Sequence, residues 1–448
     1  MRQKSVKVDT ANIMLGMFVA QLDRSWLETP FIQRGFEISK EGEIELLRKF
    51  CKHVYIDLSR SSLPETEIME VSAGANEFKD PFLPAAIRHR DKPSVSLAVR
   101  LIRVFSKLDP TGKSGRLLLP KHLRTSVSVR EEIPKAIEAF DSATEKMREM
   151  LGEVKKGRAI NLDKLKDAVI PLVESILRNP DAMAWLGGLR KREEGHFSFT
   201  ITAAVWSVIL GRHVGLDRHN LINLAMGGVL ADIGNTQIPR SIGTKEGSLT
   251  EEELDVIRTH VEYGVEIAEK IGGISDDVVA MVRCHHERHD GSGYPAQRAG
   301  ADIPVYGRIS GVTDCYDAMI SHRPYAPAKS SYDAIRELNS LAGTLFQREV
   351  VEQFVQALGM FPTGSLVELN TGEVAIVVEQ HPIHRLRPNL IIVLDKDKQP
   401  LKANKFLALA KVSSKVGERK ARWIIQGHEP GAFDIDPKDF FFGADGSG

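Results

Sequence analysis

Between residues 133 and 357 apolar side chains recur every three to four positions, in stretches such as IPKAIEAFDSATEKMREML and DKLKDAVIPLVESIL. That period commits the middle of the chain to amphipathic helices, because a half-buried strand would need alternation every second residue. One helix start is explicit: Thr250 followed by Glu253 forms a capping box ahead of the stripe Leu254, Ile257, Val261 and Val265, which predicts His260 in mid-helix. The run 197–211 is more uniformly apolar, but it is interrupted by Ser198, Thr200, Thr202 and Ser207 and is too short for a bilayer. It reads as a buried core helix.

The flanks carry other signals. Residues 7–58 alternate apolar and polar side chains in MFVAQLD and HVYIDLS around a helical stretch at 41–53, the pattern of a small α+β module. Residues 59–93 are rich in Pro, Ser, Glu and Arg without periodicity, and LDPTGKSGR at 108–116 is a similar break, so a linker is expected there. After Phe361, SLVELNTGEVAIVVEQ and RPNLIIVLDKD predict strands with a turn at Asn370, Thr371 and Gly372, and the tail from Glu429 is expected to fray. The fold class is therefore mainly α: a helical bundle with a small N-terminal α+β module and a small C-terminal β extension. The expected divisions are 1–65, a linker at 66–130, the helical domain at 131–360 and the extension at 361–448.

Sixty basic residues balance sixty acidic ones, so the chain builds no overall field for a nucleic-acid polymer or an anionic membrane, and an anionic ligand must be held by local charge. The three cysteines, Cys51, Cys284 and Cys315, lack metal-ribbon spacing and no secretory signal opens the sequence, which points to a cytoplasmic protein.

The densest chemistry lies in HHERHDGSGYP at 285–295, where His285 and His286 offer imidazoles and Gly291, Gly293 and Pro295 shape a loop that can approach a ligand closely. Asp232 in VLADIGNTQIP, His260 in RTHVEYG and Asp314 in GVTDCYDAM stand apart from it. Each alone has a plain structural reading: a turn aspartate, a satisfied core histidine, and, for Asp314 with Asp317, a solvated helix face. Together with His285 and His286 they supply two carboxylates and three imidazoles on separate helices, the way a bundle assembles a metal site in its core.

The order ADIG, IP, LTEEE, a helical His, HHE, DGSGYP, IP, RISGVTDCYDAM and RPY, over about residues 197–354, resembles the HD-GYP family. GMFVAQLDRSWLETPFIQRGFEI resembles a small uncharacterised domain that often precedes such proteins, and GSLVELNTGEVAIVVEQHPIHRLRP resembles the extension that follows them. The resemblance implies an HD-type bundle that binds two or three iron or manganese ions and opens cyclic di-GMP to a linear dinucleotide or GMP. By it, Asp232, His260, His285, His286 and Asp314 are ligands and Arg323 contacts phosphate. Asp290, Gly293, Tyr294 and Pro295 then belong to a loop that shapes the pocket and docks partners such as GGDEF-type diguanylate cyclases.

The sequence also departs from that pattern. Ala231 stands where the family's first name-giving histidine belongs, Ile201 where an earlier histidine belongs, Asn235 where a lysine meets the phosphate, Phe197 where some members carry a glutamate, and Ala326 where a basic residue follows RPY. His196 and His213 do not share a helical turn with Ile201 and are poor substitutes; Lys329 is a candidate second phosphate contact. Loss of one half of a two-metal clamp typically costs several kcal/mol of transition-state stabilisation, on the order of hundredfold or more in rate. The expectation is a degenerate member with at most one iron or manganese ion, no confident catalytic residue, and a regulatory or docking role in cyclic di-GMP signalling. The alternatives are an active metal-dependent phosphodiesterase and a protein-interaction scaffold that binds neither metal nor nucleotide.

Overall fold

The computed structural model describes residues 5–23, 36–38, 41–72, 124–190, 196–243, 245, 247, 249–321, 328–381, 384–412, 421–429, 431–437 and 440. The chain divides into two compact units, Met1–Leu118 and Leu119–Gly448. In the first, β1 (Ser5–Asp9), β2 (Phe18–Leu22), β3 (Phe36–Glu37), α1 (Glu41–Phe50), β4 (His53–Asp57) and α2 (Glu65–Glu70) form an antiparallel sheet of order β1-β4-β2-β3 with short helices. Val6, Val8, Val19, Val54 and Ile56 line its buried face, and α1 contributes Ile44 and Leu47 to the same core. The helix expected over 41–53 stops at Phe50, where the Lys52 amide donates to Asp23 Oδ2 at 2.7 Å and the strand pattern HVYID takes over. Of the segment read as a linker, α2 and residues 124–130 are described; residues 73–123, including the break at 108–116, lie outside the described residues.

The second unit is helical first and β afterwards. Its helices are α3 (Val129–Lys155), α4 (Leu162–Arg178), α5 (Pro180–Arg190), α6 (His196–His213), α7 (Arg218–Leu230), α8 (Arg240–Gly243), α9 (Glu251–Arg258), α10 (His260–Glu269), α11 (Asp276–Cys284), α12 (Val305–Met319), α13 (Ser331–Ser340) and α14 (Arg348–Leu358). A 3-10 turn, Ile233–Gln237, follows α7. The Ser128–Glu131 capping box starts α3, and Glu132, fully buried, accepts from Arg178 at 2.7 and 2.8 Å and from Ser175 Oγ at 2.8 Å, fastening α3 to α4. A buried carboxylate is tolerated only when its lone pairs are satisfied in this way.

The apolar run at 197–211 lies within α6, whose residues from 201 to 213 are all buried. Two of its polar groups are satisfied inside the bundle: Trp206 Nε1 donates to Asp317 at 2.7 Å, and Ser207 Oγ sits 2.8 Å from Thr313 Oγ1. Among the described residues no helix is long and apolar enough to cross a membrane. α7 lies tightly against α6 because Gly228 has no side chain; a Cβ there would fall 2.5 Å from the Ala204 Cα.

After α14 the chain forms β5 (Leu366–Leu369), β6 (Val374–Glu379), β7 (Asn389–Leu394), β8 (Pro400–Ala408) and β9 (Ile424–His428), an antiparallel sheet of order β8-β7-β6-β5-β9. Gly372, at φ +84°, makes the β5–β6 turn where the sequence placed it. Of the tail, residues 429, 431–437 and 440 are described: Ile435, 7% exposed, packs with Leu366, Val374, Ile376, Val393 and Leu394, and Ala432 and Phe440 lie against the same cluster; the rest of the tail lies outside the described residues.

Candidate metal centre

The site begins where α7 ends. Ala231 closes the helix, buried and in helical conformation, and Asp232 leaves it at φ −97°, ψ 11°. Two residues on, Gly234 presses backbone to backbone against α10: a Cβ there would lie 1.9 Å from the His260 carbonyl oxygen and 2.6 Å from the Gly264 nitrogen. This contact carries the Asp232 carboxylate to the histidines, with Oδ1 at 3.5 Å from His260 Nε2 and 4.0 Å from His285 Nε2. Gly234→Ala should therefore cost on the order of 3 kcal/mol in urea unfolding, since rigid backbone must move to admit the methyl group. Weaker metal binding should accompany it; unchanged stability would show that the turn is looser than its packing.

His260 does not sit in mid-helix as the periodicity predicts. α9 ends at Arg258, the Thr259 hydroxyl donates to Val256 O at 2.6 Å, and His260 opens α10 with Nδ1 2.7 Å from Ile257 O. The tightened turn uses side chains to satisfy the carbonyls at the end of α9. His285, at the C-terminal cap of α11, repeats the device with Nδ1 2.7 Å from Val282 O. A carbonyl only accepts, so both imidazoles carry a proton on Nδ1, which leaves Nε2 as the atom each can offer to a metal.

Those two Nε2 atoms face each other at 3.2 Å. That separation lets both nitrogens ligate one ion. Burial, partly opposed by the Asp232 charge, lowers the His285 pKa to about 4, so near neutral pH this imidazole is unprotonated and able to ligate. His286 completes the group: its ring lies 4.1 Å from that of His285 and 5.0 Å from that of His260, and it stacks on Tyr294 at 4.6 Å with 24° between planes. One ligand atom from each of Asp232, His260, His285 and His286 falls within 4.8 Å of the others. Three imidazoles and a carboxylate suit a borderline divalent ion without specifying which one.

Asp314 is not part of that group. It lies half-buried on α12 within electrostatic reach of Tyr294, whose phenol pKa is raised by burial first and by the Asp314 charge next. Its neighbour Asp317 is not on a solvated face, being 3% exposed and bonded to Trp206. Asn235 donates to Asp232 Oδ1 at 3.0 Å, so it touches the candidate ligand but brings no positive charge. Ile201 and Ala231, 0% and 3% exposed, are apolar core residues. Arg323 and Ala326 lie outside the described residues, as do the side chains of His196 and Phe197. His213 is buried at the far end of α6, and Lys329 is paired with Glu337.

The loop after His286 is built by a residue that sequence reasoning did not single out. Glu287, 3% exposed, accepts from the Ala296 amide at 2.9 Å and the Arg298 amide at 2.8 Å, so one buried carboxylate closes the loop on itself. The Asp290 carboxylate accepts from the Ser292 amide and hydroxyl at 3.0 and 2.6 Å. Gly293 is required because a Cβ would sit 2.4 Å from both Arg288 N and His286 O, and the Tyr294 amide donates to His286 O at 3.2 Å, which seats the Tyr294 ring over His286. Pro295 and residues 296–299 are exposed. The signal available in the sequence was the carboxylate of HHE, placed between two ligand-type histidines and a glycine loop.

Comparison with known proteins agrees with this geometry. The family model described as HD domain matches residues 181–350, one described as a domain of unknown function (DUF3391) matches 5–165, and one described as a KOW domain associated with HD domain matches 366–414. The chain is 30% identical over 387 residues to a cyclic di-GMP phosphodiesterase of Pseudomonas aeruginosa, covering 86% of this chain and 84% of that protein. It is 36% identical to a cyclic di-GMP phosphodiesterase of Thermotoga maritima over 33% of this chain and 40% of the other. With the response regulator RpfG of Xanthomonas campestris, a cyclic di-GMP phosphodiesterase, it shares 31% identity over 52% and 63%. A solved HDG"Y"P protein from Bdellovibrio bacteriovorus aligns at TM-score 0.41 and 15% identity, over 78% of this chain and 98% of its own. A match of this extent to the Pseudomonas protein, with the HD model lying over the helices that gather Asp232, His260, His285 and His286, places the chain in the HD-GYP family of HD-domain proteins.

Proposed function

We propose that this protein binds one iron or manganese ion and cyclic di-GMP in the cytoplasm and acts by binding, as a regulatory or docking module, with hydrolysis impaired. The observation that carries the reading is an asymmetry. Asp232, His260, His285 and His286 converge, whereas Ala231 and Ile201, the positions where the family resemblance expects earlier histidines, are buried and apolar. A bound ion would supply a Lewis acid toward a phosphate oxygen. Around it, the partly exposed Asp232 leaves the group open on one side, His260 and His285 are oriented by their carbonyl bonds, and Asn235 offers an amide where a charge would serve a phosphate better. The exposed edge of the 291–299 loop is a surface that a signalling partner such as a GGDEF-type cyclase can reach.

The second reading, an active phosphodiesterase, is favoured by the names of the relatives. The two separate in one experiment on the full chain supplied with manganese or iron: about one ion per chain, cyclic di-GMP bound, and turnover no higher than that of Asp232→Ala. Robust hydrolysis that disappears in Asp232→Ala would overturn the binding role.

A further inference from the structure

We propose that Arg258 is the cation that meets the phosphate of a ligand at this centre, in the role Asn235 cannot fill; this rests on the reading of the site as a metal and cyclic di-GMP centre. Arg258 ends α9 two residues before His260, and its guanidinium lies 5.8 Å from the centre of the Tyr294 ring, which itself stacks on His286 at 4.6 Å. A continuous contact thus runs from the guanidinium through Tyr294 to the ligand group. Three other described cations of this unit are engaged in building the fold, and of these Arg288 lies at the centre. Lys245 holds both oxygens of Glu253 at 2.6 and 2.7 Å, Lys329 is paired with Glu337, and Arg288 donates to the carbonyls of His285 and Glu287 at 3.1 and 3.0 Å.

Arg258 has a weaker hold. Its Nη1 donates to Asp255 Oδ1 at 2.7 Å across one helical turn, with the two side chains 45% and 71% exposed. Such surface pairs are weak and screened by salt, and this one engages one of the five donors of a guanidinium. Arginine's planar fork suits a phosphodiester's two free oxygens, and Tyr294 gives its plane an aromatic neighbour without consuming a donor. The chemistry recognised is therefore a phosphate diester brought to the metal from the side of Tyr294.

The test uses the full chain loaded with manganese, titrated calorimetrically with inorganic phosphate and with cyclic di-GMP, with metal content measured alongside. Arg258→Ala is expected to keep its metal and its melting temperature while weakening both ligands on the order of tenfold, and to make binding less salt-dependent. Arg258→Lys should fall between the two, retaining the charge but losing the fork. Affinity within about twofold of wild type, or loss of metal together with affinity, would overturn the assignment. If wild type binds phosphate in an Arg258-dependent way but not cyclic di-GMP, the assignment stands and the nucleotide reading falls. If the metal-loaded wild type binds neither, both fall.

Discussion

Asp232→Ala should empty the centre. The Asp232 carboxylate is the sole anionic member of the four-residue group, and its Oδ1 lies nearest to His260 Nε2 and His285 Nε2, the pair that faces each other at 3.2 Å. Outer partners of a metal ligand alone are worth about 10–100-fold in affinity, so removal of a ligand should cost at least about a hundredfold. Elemental analysis after gel filtration should fall from about one ion per chain to a small fraction of one. A second readout follows from linkage. Ligand at a hundred times its dissociation constant stabilises the folded state by about 2.7 kcal/mol, so added manganese should raise the melting temperature of wild type and leave that of Asp232→Ala unmoved. Asn235→Ala is the control: it removes the 3.0 Å hydrogen bond to Oδ1 but no ligand, and should shift affinity modestly. Metal retained in full by Asp232→Ala would mean that the ion sits elsewhere.

How much of this was legible in the sequence depends on the reach of each interaction. The Thr250–Glu253 capping box forms reciprocally, with Thr250 N donating to Glu253 Oε2 at 2.8 Å and Glu253 N to Thr250 Oγ1 at 3.3 Å, and the 370–372 turn falls where it was read, because both are settled within a few residues. The break at Thr259 was hidden for the opposite reason. Nothing in the apolar stripe marks it, since Leu254, Ile257, Val261 and Val265 keep their spacing while the His260 side chain captures the Ile257 carbonyl.

The candidate site divides in the same way. The order of Asp232, His260, His285 and His286 along the chain was visible, and the fold brings those four together across sequence separations that no local period encodes. Asp314 carries the same kind of signal; its carboxylate is not among the four whose ligand atoms lie within 4.8 Å of one another, and it acts on Tyr294, the ring that stacks on His286. Gly234, Glu287 and Arg258 were missed since their roles exist only through partners: the carbonyl of His260, the amides of Ala296 and Arg298, and the ring of Tyr294. A glycine after a turn aspartate could have been read as a point of close approach, and a Glu following two histidines as a loop clamp.

The triple variant Ile201→His, Ala231→His and Asn235→Lys should restore a second ion and bring turnover of cyclic di-GMP up by about a hundredfold or more over wild type, the usual scale for regaining charge stabilisation of a transition state. The cost is also set by the structure. Ile201 is fully buried in α6 and Ala231 is 3% exposed, so without metal each new imidazole is a buried polar group lacking a partner, destabilising by about 1–3 kcal/mol apiece. Asn235→Lys, at an exposed position, costs little and places a charge next to Asp232. The expected signature is an apo protein that melts below wild type and gains more than wild type from added manganese, because metal converts two unsatisfied imidazoles into ligands. A folded triple variant that still takes up one ion would show that residues 201 and 231 do not face the same centre as His260 and His285. The proposed impairment of hydrolysis would then need a cause other than the loss of two imidazoles.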